Sequence, residues 1–243
     1  MAITLRLGSR GFEVVILQVQ LNIKTPSPNL KLKVDGSFGP NTYAAVVSFQ
    51  RRTGLVPDGV VGPLTHAALA KGLALTTANH NITHIAQPTP TTCWATATAM
   101  MTHSTVAAVI AKTPPDMIAP NGSLLNSSEN DQAVVSGTRF GNAHGLRCHA
   151  PMSWSVPALC TALRQSPLVF NMLWNSIEYA QGNGSPGHWV VVSAVVSDNN
   201  PSGNGTYLLA LDPWPPNVGK ISWEEYQRWV NDVPIRTYRV FSR

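Results

Sequence analysis

A proline-interrupted stretch near the middle of the chain, Gln87–Trp94 (QPTPTTCW), constrains the fold more than any other segment. Its two prolines predict an extended approach, and the small or apolar residues that follow predict a buried helix. Thr91 and Thr92 are both candidate N-caps, which places Cys93 in the first helical turn. The helix dipole and the unpaired amides of that turn favour an anion. Cys93 is therefore either a nucleophile or a buried apolar cysteine at a helix start.

The composition is that of a globular chain with room for one large or two modest domains. The 243 residues are 44% hydrophobic and only 12% charged, which excludes a disordered chain. The formal net charge is +5 and no run of lysine or arginine is present, so we expect no nucleic-acid partner. A diffuse positive charge would suit an anionic polymer such as a bacterial cell wall.

Three cysteines are too few, and odd in number, for a disulfide framework. Cys148 and Cys160 could pair in an oxidising compartment, and both being free is an equal alternative. No run approaches the roughly 18 apolar residues of a membrane span, and Met1–Gly8 lacks the apolar core of a secretion signal. We therefore expect synthesis in the cytoplasm, and a separate export route if the target lies outside it.

The first part of the chain contains a near-repeat. Asp35–Thr42 (DGSFGPNT) is followed by Asp58–Thr65 (DGVVGPLT), so both copies read Asp-Gly-x-x-Gly-Pro-x-Thr. Each copy predicts a tight turn and a helix start, because glycine tolerates positive φ and proline suits the first helical turn. Apolar residues at helical spacing follow both copies, and another apolar helix precedes them. Residues 1–72 are therefore predicted to form a small all-helical domain.

This domain resembles the peptidoglycan-binding module of the three-helix type that many wall hydrolases carry. The matching positions span the whole segment: Leu7-Gly8, Gly11, Val15, Leu17-Gln18, Leu21-Asn22, both Asp-Gly copies, Phe49-Gln50 and Gly54-Leu55. The resemblance implies peptidoglycan as a partner. The alternative is a helical bundle that acts as a spacer or binds proteins, because a fold alone does not determine function.

A polar segment without apolar periodicity, residues 73–82, is predicted to be a linker. His80 and His84 have the spacing of a metal pair on a helix. However, no helical pattern surrounds them and no third ligand is near in the sequence. We therefore expect neither a metal nor another cofactor.

The second domain, residues 83–243, changes from helical to strand patterns. Ser155–Leu163 is predicted to be a capped helix with Cys160 in the core, and Ser222–Glu225 has the pattern of a capping box that would begin another helix. Strands are predicted at residues 167–173, 187–195, 207–213 and 236–241.

The turn-forming residues 198–205 favour an antiparallel hairpin between the second and third of these strands. In such a hairpin, His188 and Asp212 lie at the same end of neighbouring strands. A thiol at a helix start, a histidine that begins a strand and an aspartate that ends its partner then converge. Each residue alone has an ordinary structural explanation, but their order together favours catalysis.

In this arrangement Cys93 attacks a carbonyl carbon. His188 takes the thiol proton, or already holds it in a thiolate–imidazolium pair, and later gives it to the leaving amine. Asp212 orients the imidazole. The backbone amide of Cys93 and the side chain of Gln87 receive the oxyanion.

Gln87, Cys93-Trp94, Gly187-His188 and Asp212-Pro213 resemble the papain-like cysteine peptidases. Within them the resemblance is to the bacterial branches of bacteriocin-processing peptidases and avirulence-type effector proteases. It implies an α+β fold with a helical lobe, an antiparallel β-sheet lobe and the active site between them. Many members have asparagine where this chain has Asp212.

Three tryptophans that adjoin these motifs, Trp94, Trp189 and Trp214, are expected to flank the substrate. Ordinary core packing is the alternative, and for Trp94 it is the favoured one.

The two resemblances together imply a cysteine hydrolase that cuts an amide bond in peptidoglycan stem peptides, as an amidase or an endopeptidase. A glycosidic bond is not expected, since its hydrolysis uses a pair of carboxylates. A protease that acts on a protein substrate, with the first domain as a localiser, is the second hypothesis. A non-enzymatic wall-binding protein is the third.

A wall hydrolase without a secretion signal suggests an antibacterial effector. It would be delivered by a contact-dependent secretion system to the periplasm or cell wall of a target bacterium, and neutralised by a cognate immunity protein. A phage-type lysin is the alternative.

Overall fold

The computed structural model describes residues 3–25, 31–125, 139–149, 154–173, 187–231 and 236–243. Helices fill the N-terminal part and an antiparallel sheet with flanking helices follows. This arrangement confirms the predicted α+β fold, with a small all-helical domain in front of a mixed domain. Among the described residues, no helix is both long and apolar enough to cross a membrane.

The described part of the N-terminal domain contains three helices, α1 (Phe12–Lys24), α2 (Pro40–Arg52) and α3 (Pro63–Ala70). Proline stands in the first turn of α2 and of α3, as the repeat predicts. The helices enclose a core of aliphatic and aromatic side chains: Leu5, Val14, Leu17, Leu21, Phe38, Val46, Phe49, Val61 and Leu69.

The first repeat copy is held by a buried glutamine. Gln18 Nε2 donates to Asp35 Oδ1 at 3.0 Å and to Thr42 Oγ1 at 3.2 Å. Gln18 Oε1 accepts from the amides of Asp35 and Gly36, both at 3.0 Å. Gly36 has a φ of 70°, a conformation that glycine adopts without strain.

Gln50 does the same for the second copy. Its Nε2 donates to Asp58 Oδ1 at 2.9 Å and to Thr65 Oγ1 at 3.2 Å, and its Oε1 accepts from the Gly59 amide at 2.9 Å. A hydrogen bond from the Val60 amide, supported by Gln50, holds the pKa of Asp58 below its usual value. The repeat therefore includes a glutamine that lies before each Asp-Gly pair.

The second domain contains five α-helices and seven strands in its described part. In chain order they are β1 (Thr76–Asn79), α4 (Cys93–Thr102), α5 (Val106–Lys112), α6 (Arg139–His144), β2 (Arg147–Cys148), α7 (Val156–Gln165), β3 (Leu168–Leu173), β4 (Gly187–Ser197), β5 (Thr206–Asp212), β6 (Lys220–Glu225), α8 (Tyr226–Asn231) and β7 (Arg236–Ser242). The sheet order is β2-β7-β3-β4-β5-β6, with β1 paired to β4, and every pair is antiparallel.

The central strands bury side chains on both faces. One face packs on α4 through residues such as Val169, Trp189 and Val191. The other packs on α7 through residues such as Phe170 and Val190. The sheet is thus sandwiched between helices, which explains why β4 is apolar over nearly its whole length.

Two local predictions differ from the structure. Ser222–Glu225 belongs to strand β6, and the helix begins only at Tyr226. The ladder with β5, which pairs Leu209 with Trp223, outweighs the local capping pattern. The segment predicted as a linker contains strand β1. It pairs with β4 through backbone hydrogen bonds, so a polar segment without apolar periodicity can still form a strand there.

The cysteines are free. Cys148 belongs to the core on the α4 side of the sheet, and Cys160 to the core on the α7 side. The two thiols are therefore not paired in this structure.

The two domains pack against each other. Val15 and Val19 on α1 bury their side chains against Val196 of β4 and Tyr207 of β5. Phe12 stacks on Trp223 with ring centroids 5.9 Å apart. Apolar side chains of α1 form much of this contact, so the first domain is docked on the sheet.

Candidate active site

Cys93 is the first residue of α4, as the sequence predicts. Thr92 occupies the N-cap position, but its side chain makes no capping bond. The Thr92 hydroxyl instead lies 3.0 Å from the Thr89 hydroxyl, within the proline-interrupted loop. The first-turn amides are therefore left to other acceptors, which is the setting that an oxyanion requires.

Helix α4 is buried on every side from Cys93 to Met101. Its alternating alanines and threonines allow close packing, and the threonine hydroxyls are satisfied within the helix. Thr96 donates to the carbonyl of Thr92 at 2.9 Å, and Thr98 donates to that of Trp94 at 2.8 Å. The cysteine is thus presented by a rigid element.

His188 and Asp212 meet at the end of the β4–β5 hairpin. His188 Nε2 lies 2.7 Å from Asp212 Oδ1. The same carboxylate oxygen accepts the backbone amide of Trp214 at 2.8 Å, which fixes its direction. The antiparallel hairpin thus brings the two residues together in the way that the sequence pattern predicts.

The side chain of Cys93 lies near enough to the imidazole of His188 to affect the pKa of the ring. Burial disfavours the charged ring, but the hydrogen bonds and charges of Asp212 and Cys93 outweigh burial and raise the pKa of His188 to about 9. Since Asp212 occupies Nε2, Nδ1 is the nitrogen that remains for the thiol. The ring therefore carries a proton at neutral pH and lies between a carboxylate and a sulfur.

Gln87 is fully buried beside this hairpin. Its backbone amide donates to the carbonyl of Pro213 at 3.0 Å, and its own carbonyl accepts the amide of Asn217 at 2.8 Å. Its side-chain Nε2 donates to the carbonyl of Thr89 at 2.6 Å, and its Oε1 has no partner among the described residues. The loop before Cys93 and the loop after Asp212 are thus tied together through Gln87.

His84 is a residue of this site that sequence reasoning missed. Its Nε2 donates to the backbone carbonyl of Asp212 at 2.8 Å. Its ring lies against Gly219, where an added Cβ would come within 2.2 Å of the imidazole. His80 instead bonds to the carbonyl of Leu163. The described residues contain no cluster that could hold a metal ion.

Two of the three tryptophans lie in the core. Trp94 donates its indole N–H to the carbonyl of Gly122 at 3.1 Å, and Trp189 stacks on Phe241 with centroids 5.1 Å apart. Both are almost fully buried, which favours core packing over substrate contact for these two residues. Trp214 is 45% exposed and adjoins Asp212, which leaves it as the candidate contact.

Two family models match the chain. One, described as papain-like cysteine protease AvrRpt2, matches residues 76–230, and the other, for a peptidoglycan binding domain, matches residues 10–69.

Three curated relatives are similar over short segments. A zinc D-Ala-D-Ala carboxypeptidase of Streptomyces albus G is 45% identical over 62 residues, 26% of this chain and 24% of that protein. A probable N-acetylmuramoyl-L-alanine amidase of Bacillus licheniformis is 40% identical over 68 residues, 28% of this chain and 19% of that protein. An uncharacterized protein of Kitasatospora aureofaciens is 69% identical over 36 residues, 15% of this chain and 30% of that protein. The chain spans less than a third of the length of each.

Two solved structures are also similar. The N-terminal domain of SleB is 35% identical, with a TM-score of 0.27, over 29% of this chain and 93% of that one. The Burkholderia AP3 phage endolysin is 29% identical, also with a TM-score of 0.27, over 48% of this chain and 43% of that one.

Proposed function

The chain belongs to the papain-like cysteine protease family AvrRpt2, and from that premise we propose that it is a thiol hydrolase that cuts an amide bond in peptidoglycan stem peptides. The observation that carries the chemistry is the position of His188, whose Nε2 lies 2.7 Å from Asp212 Oδ1 and whose pKa is raised by Asp212 and Cys93. The peptidoglycan-binding domain in front of it supports a cell-wall substrate.

The reaction follows from the positions of the side chains. The Cys93 sulfur, whose proton His188 has taken, attacks the amide carbonyl carbon, and a tetrahedral oxyanion forms at the N-terminus of α4. The Cys93 amide and Gln87 Nε2, which uses one of its two hydrogens on Thr89, stabilise that charge. His188 gives its proton to the leaving nitrogen, and the C–N bond breaks to leave a thioester.

Water completes the cycle. His188, now neutral, takes a proton from a water molecule that attacks the thioester, and the cysteine is released with a carboxylic acid product. Asp212 keeps the imidazole in the required orientation throughout, and the Trp214 amide and His84 hold Asp212. Trp214 contacts the substrate at the rim.

The wall substrate is favoured over a protein substrate by the first domain. Binding of the polymer by that domain raises the concentration of the catalytic site near the stem peptides. The carboxypeptidase and amidase among the relatives are named for bonds of the same polymer, and similarity to them supports the wall assignment. A protease with the first domain as a localiser is the second candidate, favoured by the family of the second domain.

The proposed setting is antibacterial. A contact-dependent secretion system would deliver the enzyme to the periplasm or wall of a target bacterium, and an immunity protein would protect the producer. This part of the proposal is tested by expressing the chain with and without a periplasmic signal. Lysis that needs both the signal and Cys93 supports it, whereas lysis from the cytoplasm contradicts it.

Digestion of purified peptidoglycan sacculi tests the hydrolase itself. The wild-type chain and Cys93→Ala are incubated under reducing conditions and the products are identified by mass spectrometry. We expect stem fragments from the wild type only, and their masses name the bond. If neither protein releases fragments while Cys93 reacts with an alkylating agent, the wall substrate is wrong and a protein substrate is indicated.

A further inference from the structure

A large cavity lies between the two domains. Its volume is about 550 Å³, and Lys33 and Val34 of the first domain face Tyr207, Trp223 and Arg228 of the second across it. Ligand pockets typically have volumes of about 300–1,000 Å³, so this one is large enough for a peptide or sugar segment.

The interdomain cavity adjoins the active site. A second cavity of about 250 Å³ is bounded by His188 and Asp212. The two cavities share four lining residues at the sheet edge, namely Lys220, Ser222, Glu224 and Arg228. They therefore lie next to each other along β6 and α8, and form a path from the first domain to the catalytic histidine.

The walls of this path are held by direct contacts between the domains. The Tyr207 hydroxyl donates to Glu225 Oε1 at 2.9 Å, and Glu225 also forms an ion pair with Lys31 of the first domain. The stack of Phe12 on Trp223 closes the apolar side. The cavity is therefore part of the docked interface.

The carboxylates along the path have partners within the protein. Glu225 is paired with Lys31, Glu224 lies 3.7 Å from Lys220, and Asp35 accepts from Gln18. By contrast, Lys33 and Arg228 are exposed and form no ion pair within 4 Å among the described residues. Lys33 and Arg228 are therefore cations that can receive a ligand carboxylate.

We propose that the interdomain cavity is a binding subsite for the peptide stem of peptidoglycan, in which Lys33 and Arg228 receive stem carboxylates. This inference rests on the proposed wall-hydrolase function. A stem peptide bears carboxylates, whereas the hydroxyls of the glycan offer a cation no opposite charge. A polymer that is held by the first domain can reach His188 and Asp212 along this path.

The test measures binding by calorimetry in the full chain with Cys93→Ala, so that the ligand is not consumed. The probe is a disaccharide-tetrapeptide released from purified peptidoglycan by a muramidase. We expect Lys33→Glu with Arg228→Glu to raise its Kd by roughly tenfold for each reversed charge, since a charge-assisted hydrogen bond contributes about that much. Added salt should reduce the difference.

The matched control is Lys112→Glu with Arg164→Glu, which makes the same change of charge at two exposed residues outside the cavity. Its Kd should stay within about twofold of the parent. If the charge-reversed cavity variant unfolds, Lys33→Gln with Arg228→Gln replaces it, and circular dichroism checks the fold. When the components are tested separately, the cavity substitutions should raise the Kd of the free tetrapeptide. They should leave the Kd of an uncharged N-acetylglucosamine oligomer unchanged.

Equal affinity of the cavity and control variants for the disaccharide-tetrapeptide would overturn the subsite, as would no binding by the parent. Either result leaves the hydrolase standing if the wild type releases stem fragments from sacculi. Conversely, charge-sensitive binding without any release refutes the hydrolase and supports the subsite.

Discussion

Both domains bury polar side chains among apolar ones, but with opposite results. In the N-terminal domain, Gln18 and Gln50 use both the oxygen and the nitrogen of their amides on neighbouring groups. In the second domain, Gln87 Oε1, both amide atoms of Asn171 and Ser193 Oγ are buried without a partner among the described residues. A satisfied network is typical of a structural role.

An unpaired buried polar atom costs about 1–3 kcal/mol and persists where another requirement outweighs stability. Gln87 is one of the proposed oxyanion donors, so this unpaired oxygen belongs to a residue of the proposed catalytic machinery. We infer from this difference that the polar groups buried in the first domain stabilise the fold, whereas some of those in the second domain serve catalysis. Substitutions should therefore affect stability in the first domain and rate in the second.

The largest expected effect is on rate. His188→Ala should lower kcat/KM on released stem peptides by about 10⁴-fold, because the thiol loses its base and the leaving group its acid. Some stability should be lost as well, because Asp212 is left without its charged partner, so circular dichroism checks that the variant is folded. His103→Asn, at an exposed histidine with a φ of 52°, is the control and should retain full activity. More than about a tenth of the activity in His188→Ala would contradict the proposed mechanism.

The next effect is on stability. Gln18→Ala and Gln50→Ala should each lower the free energy of opening of α1–α3 by about 3 kcal/mol, because each leaves several buried groups without a partner. Hydrogen–deuterium exchange measures this opening separately for the first domain.

Gln20 lies on α1, like Gln18, but outside the network. Gln20→Ala should lower the free energy of opening by less than about 1 kcal/mol. If the Gln18 and Gln50 variants resemble Gln20→Ala, the networks are not what holds the repeat. Reduced turnover of a small soluble peptide in either variant would also break the contrast between the domains.

The sequence predicts the first domain well because its signals are local. The two Asp-Gly-x-x-Gly-Pro-x-Thr copies contain the turn, the helix start and most partners of the buried glutamines. In the second domain, the start of α4 at Cys93 and the hairpin of His188 and Asp212 follow from similarly local patterns.

What the sequence could not supply depends on contacts between distant segments. Ser222–Glu225 reads as a capping box, and only pairing with β5 makes it a strand. The support of Asp212 by His84 crosses from one loop to another, so no local pattern marks it. The docking of α1 on the sheet could not be predicted either, since an apolar helix face does not indicate which surface will cover it.

A third prediction concerns pH. In the wild type, kcat/KM should fall above about pH 9, where His188 loses its proton and can no longer protonate the leaving amine. Asp212→Asn removes the charge that holds the proton, while burial continues to disfavour it. The basic limb should then move to lower pH by more than about one unit. Asp116→Asn, which breaks the exposed pair with Arg139, should leave the profile unchanged. If the basic limb of Asp212→Asn does not move, the fall in activity at high pH is caused by a group other than His188.

The smallest expected effect is on the pH dependence of stability. It involves a second buried histidine of the same domain, His144, which hydrogen-bonds to Thr113 Oγ1 at 2.9 Å. Burial, helped by the charge of Lys112, lowers the pKa of His144 to about 4. Its folded-state pKa is thus below the unfolded value of about 6.5, so the unfolded chain takes up the proton first. Stability from this site is complete above pH 6.5 and is lost as the pH falls toward 4.

For His188 the sign is reversed, because its pKa is raised and its contribution is lost only as the pH rises through about 9. His144→Gln removes the first titration and should flatten the melting temperature between pH 6.5 and 4 by a few degrees, with no effect on the basic limb of activity. Thermal melts of wild type and variant across this range measure it. Parallel curves would mean that another group causes the acid sensitivity. His144 would then no longer be an example of a buried histidine with a structural role, to set beside the catalytic role of His188.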